Sequence, residues 1–130
     1  MSRTFVIEGT RVHDIASFYD ELNRVFMPNE AWTLGASLDA LDDLLYGGFG
    51  ELLGVERPVI VLRDHAHARD ALGIAATGAY YREKIAHPEM FHVERFEHAL
   101  AELDAGRGET YFDLVLGVFA GHDDVRLVLD

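Results

Sequence analysis

The sequence predicts a small α/β domain, a three-stranded parallel sheet with helices packed on it. Three observations lead there. The β-rich runs TFVIE (4–8), VIVLR (59–63) and VRLVL (125–129) are the strand candidates, and long stretches of helical periodicity separate them. Strands so far apart pair most simply in parallel, through right-handed crossovers that carry the helices. A chain of 130 residues, 49% apolar and 26% charged, has the size and composition of one packed domain over 1–130.

The first strand, 4–8, ends at Gly9. From 14 to 27, Ile15, Phe18, Leu22, Val25 and Phe26 recur at helical spacing, and Asp14 suits the N-cap. The aperiodic PNEAWTLGA, 28–36, forms a loop with Trp32 as its one large exposed ring. Ser37 should cap a helix over 38–46, stopped by Gly47 and Gly48. GGFGELLGVER then loops to Pro58.

The continuous apolar run 59–63 suits a central or parallel strand covered on both faces. Asp64 is placed to cap a short helix, HAHARDAL, that stops at Gly73. The stretch 74–90 has no decisive period. Val93, Phe96, Leu100 and Leu103 predict a helix over 92–105, closed by Gly106. YFDLVLGVFAG, 111–121, has strand-like composition, yet Phe112, Val115, Leu116 and Phe119 also fit a helical stripe.

Composition excludes several classes of function. There is no cysteine, which removes disulfides, thiolate metal sites and cysteine nucleophiles. No apolar run approaches the roughly 20 residues of a membrane-spanning helix. The start, MSRTFVIEG, lacks the pattern of a secretory signal, so the expected location is cytoplasmic. With 23 acidic and 11 basic residues the net charge is −12, which opposes binding to nucleic acid or an anionic membrane and favours a basic partner. Acidity that serves solubility alone is the plainer reading.

The charge has a focus in LDALDDLLY, 38–46. At 100° per residue Leu38, Leu41, Leu44 and Leu45 gather on one side, while Asp39, Asp42, Asp43 and Tyr46 gather on the other. The helix dipole favours Asp39 in the first turn. Asp39 faces Asp42 and Asp43 at i, i+3 and i, i+4, and like charges at such spacing cost about 0.2–0.5 kcal/mol per pair. Nothing inside the helix offsets that cost. A cationic partner would, through charge-assisted hydrogen bonds.

The motif LGASLDALDDLL, after a tryptophan-containing loop, resembles the barstar family of intracellular inhibitors of small secreted ribonucleases, barnase-like or guanyl-specific. Gly35, Leu38, Asp39, Ala40, Leu41 and Asp43 match the family's glycine, then Asn-Leu-Asp-Ala-Leu, any residue and Asp; Ser37 replaces the asparagine. FVIEG (5–9) is similar to the family's first strand, and PVIVLR and VRLVL to its second and third. The resemblance covers roughly 4–63 and 109–130, implies that 111–121 is the last helix, and leaves about 64–108 as an extra helical insertion.

The family's function implies a one-to-one complex with a small basic ribonuclease, whose active site the 29–47 segment occludes. Asp39 and Asp43 then stand for RNA phosphate, Trp32, Thr33, Leu34 and Gly35 shape the plug, and Asp42 and Tyr46 complete the acidic face. Thr33 and Leu34 occupy the place of the family's aromatic pair. An acidic interaction module with a non-nuclease basic partner is the alternative.

Other chemistry is weakly supported. Seven histidines include the pair His65 and His67 and the trio His87, His92 and His98, but no metalloenzyme spacing occurs, and no metal or cofactor is expected. GGFG (47–50) follows a helix and reads as a turn rather than a phosphate loop. Neither a nucleophile elbow nor a paired-carboxylate cleft is evident, so the chain is not expected to be an enzyme.

Overall fold

The computed structural model describes residues 3–130. Three strands, β1 (Thr4–Glu8), β2 (Val59–Arg63) and β3 (Arg126–Leu129), form one sheet in the order β1-β2-β3, and both pairings are parallel. Thr4 pairs with Val59 and Val59 with Arg126, so the strands start level. The helices between them are α1 (Ile15–Phe26), α2 (Leu38–Leu45), α3 (His65–Ala71), α4 (Ile74–Ile85), α5 (Val93–Asp104) and α6 (Tyr111–Ala120). This is the α/β architecture expected. None of the described helices is long and apolar enough to cross a membrane.

Period-2 alternation fixes the sheet's inner face. Phe5, Ile7, Ile60 and Leu62 are buried while Val6, Val59 and Val61 are half-buried. The strand β2 is central, as expected, but only one of its faces is fully covered, not both. Phe5 meets Phe26 of α1 at 5.3 Å between ring centres, and Phe18, Leu22, Leu41, Leu44, Tyr111 and Phe112 complete the same core. Each such residue, fully buried, contributes about 1.5–3 kcal/mol. Gly9 is required by close packing, since a Cβ there would overlap the carbonyls of Arg63 and Asp64 at the end of β2.

Local capping sets the helix starts. Asp14 and Ser17 form a reciprocal capping box on α1. Thr110 and Asp113 do the same on α6, which settles 111–120 as helix. Asp64 does not cap α3 with its side chain as expected. It adopts a left-handed backbone (φ 52°), and its carbonyl accepts the first helical bond from the His67 N–H at 3.0 Å. The undecided stretch after Gly73 is helical as far as Ile85.

Two polar networks lock the helices together. The buried Glu21 carboxylate accepts the Glu8 N–H at 2.7 Å and pairs with Arg24 and Arg11, which ties the end of β1 to α1. Burial pushes this carboxyl up, but the hydrogen bonds from Arg24 and Glu8 and the nearby guanidiniums outweigh it and hold Glu21 below its ordinary value. The Tyr19 and Tyr111 hydroxyls share a buried bond of 2.6 Å, and Thr77 of α4 accepts the Tyr111 N–H at 2.7 Å. Desolvation raises both phenols, Tyr111 to about 12.

Candidate protein-interaction site

The α2 helix begins where the sequence places it. The Ser37 hydroxyl accepts the Ala40 N–H at 3.1 Å, and Leu41, Leu44 and Leu45 are buried, with Leu38 half-buried. The helix ends at Leu45 with Tyr46 as its C-cap, and Gly47 supplies the left-handed turn that follows (φ 79°). Burying the leucines turns the opposite side of α2 outward.

Asp39 and Asp43 are exposed, and among the described residues neither makes an ion pair or a side-chain hydrogen bond. Asp42 differs from them. Its Oδ1 accepts a 2.6 Å bond from Nε2 of His122, which is buried just past α6. Tyr46 stands 73% exposed with its ring edge-on to the same imidazole, 4.7 Å between centres. The sequence reading missed His122 because it lies 80 residues from Asp42 and carries no local signal.

The loop before α2 is fixed by one side chain on α1. Asn23 Oδ1 accepts the Leu34 N–H at 2.7 Å, while its Nδ2 donates to the Tyr19 carbonyl at 3.0 Å and the Leu34 carbonyl at 3.4 Å. Leu34 itself is a core residue at 7% exposure, so its side chain anchors the loop from inside and is not presented outward. Further along, the Glu30 carboxylate accepts the Gly50 N–H at 3.1 Å.

Trp32 rests against Phe49, 4.8 Å between ring centres, and remains 48% exposed. Thr33 and Gly35 are exposed, and a Cβ added at Gly35 would meet nothing. The fold therefore makes no packing demand for glycine there. Trp32, Thr33, Gly35, Asp39, Asp43 and Tyr46 thus lie outward on one continuous segment, with Leu34 beneath it and Asp42 held to the body.

The histidines of the sequence are dispersed. His65 and His67 bond through Nδ1 to the Asp130 and Gly9 carbonyls, and His87 lies between Glu83 and Glu89. Among the described residues no group of three His, Asp or Glu side chains is arranged to hold a metal ion.

The molecule is a small α/β domain that pins a loop with Asn23 and presents, from α2, two carboxylates that are unpaired among the described residues. The family model described as Barstar (barnase inhibitor) matches residues 2–80, and the chain belongs to the barstar family, a family of inhibitors. A search of curated proteins finds no match. The matched stretch takes in β1, α1, the loop, α2 and β2 and ends inside α4.

Proposed function

We propose that this protein binds a small basic secreted ribonuclease, barnase-like or guanyl-specific, one to one, and blocks its active site with residues 29–47. The observation that carries the reading is the pair Asp39 and Asp43, exposed and, among the described residues, unpaired on a helix whose other side is core. A pocket lined with arginine, lysine and histidine for RNA phosphate is already arranged for anions, and carboxylates can fill it without being cleaved. The protein is then an inhibitor by occlusion and not itself an enzyme, and it acts in the cytoplasm.

The remaining outward residues fit that role. Trp32 and Tyr46 flank the carboxylates, Trp32 nearly half exposed and Tyr46 mostly so, and Gly35 lets a partner approach the backbone. Pinning by Asn23 orders the loop before binding, which lowers the entropy lost on association.

The test is an inhibition titration of the purified protein against barnase and guanyl-specific ribonucleases. The parent should abolish activity at equimolar ratio. Asp43→Ala should weaken binding by about 3–5 kcal/mol, the scale for removing one member of a buried charge pair, while thermal unfolding shows an intact fold. Equal potency of variant and parent, or no inhibition by the parent, would overturn the reading.

A further inference from the structure

The helices beyond α2 build a second feature against the same face. Between the start of α2 and the pair α4 and α5 lies an open cleft of about 540 Å³. Ser37 and Asp39 line it from the start of α2, Tyr80 and Lys84 from α4, and Phe91 and Arg95 from the turn before α5 and its start. Lys84, the only lysine of the chain, sits with Nζ 4.1 Å from the centre of the Phe91 ring and 5.1 Å from that of Tyr80. The Arg95 guanidinium lies 5.8 Å from the Phe96 ring centre. Among the described residues neither cation has an ion-pair partner, although the chain carries 23 acidic residues.

Two cations left unpaired against aromatic rings, in so acidic a chain, are complementary to an anion that brings apolar surface with it. A free anion would also meet Asp39, which lines the same cleft. An acidic side chain on a protein surface avoids that repulsion when a cation stands beside it to take Asp39, and a nuclease held by α2 brings such a cation. Resting on the reading of α2 as the nuclease-binding face, we propose that the cleft receives an acidic side chain of the same nuclease. Its carboxylate bonds to Lys84 and Arg95, and its flanking apolar surface covers Phe91 and Phe96. The helices α4 and α5 then select among nucleases that α2 alone would accept.

The sign of one measurement separates this contact from general electrostatics. Replacing Lys84 and Arg95 by alanine makes an already acidic protein more acidic, and the field of the whole molecule would then hold a basic nuclease more tightly. A direct contact requires the opposite. The experiment compares the parent, the Lys84→Ala/Arg95→Ala double variant and Asp43→Ala against a ribonuclease found by the titration above, with thermal unfolding as the control for folding. A Lys84→Met/Arg95→Met pair keeps the bulk of both side chains should the alanines disturb the fold. The proposal expects binding weaker by about tenfold or more for the double variant, the scale of a lost charge-assisted bond. Unchanged or tighter binding of the double variant, with Asp43→Ala still weakened, overturns the cleft contact and leaves the proposed function standing. Failure of the parent to bind any of the ribonucleases removes both.

Discussion

Asp42 and Asp43 are neighbours in the chain with opposite expected behaviour. Asp42 satisfies a buried imidazole, so Asp42→Ala strands the His122 Nε2 and should cost about 1–3 kcal/mol of stability. Among the described residues Asp43 has no partner, and it repels Asp39 one turn away, so Asp43→Ala should leave stability unchanged or raise it by about 0.2–0.5 kcal/mol. Urea unfolding of the two variants checks the contrast, and equal losses would contradict it. The helical period was enough to place all three aspartates on one side of α2, because 100° per residue follows from the backbone alone. It could not show that Asp42 is taken, since His122 reaches it only after the chain has crossed the sheet and returned. The burial of Leu34 was not legible for a similar reason: a leucine in an aperiodic loop carries no sign of direction, and the bonds that hold its backbone come from Asn23 on α1.

At the scale of elements, strands and early helices were readable because their apolar periods agree with their caps. The helix α4 was not, since its buried positions are Thr77, Gly78 and Tyr81, which carry no apolar stripe. The helix α6 is apolar on nearly every side, which hides its period, although Thr110 and Asp113 spell a capping box in the sequence. Two joints between elements are open to test. Asn23→Ala removes the staple between α1 and the loop without touching the outward face, so nuclease binding should weaken by about tenfold as the loop loses its preset shape. An unchanged affinity would show that the loop holds itself. Glu21 joins β1 to α1, and its folded carboxyl lies below the unfolded value. A depressed value gives stability that is complete above the unfolded pKa, about 4.5, and is lost as pH falls through the folded one. Glu21→Gln should therefore cost about 1–3 kcal/mol at pH 7 and progressively less below pH 4.5, as the parent carboxylate protonates. A gap between variant and parent that stays constant on acidification would sink this account.

For the whole molecule the governing quantity is the charge of −12, because on the proposed function a basic nuclease would feel it before any contact forms. Among the described residues, Asp39 and Asp43 stand unpaired on the outward face of α2, while Asp42 is bonded to His122. On the proposed function, the charges that attract the nuclease include the carboxylates that enter its cleft. Salt acts differently on the attraction and on the contact. Raising ionic strength from about 0.01 M to 0.15 M shortens the screening length from about 30 Å to 8 Å, which removes most of the long-range attraction. Charges already excluded from water in the complex are screened far less. Stopped-flow mixing with the nuclease should thus show association slowed by about tenfold or more over that range, while dissociation changes little. A salt-independent association rate would mean that the acidity serves solubility alone. A dissociation rate that rises with salt as steeply as association falls would mean that Asp39 and Asp43 remain in water at the interface, where a carboxylate could not replace a bound phosphate.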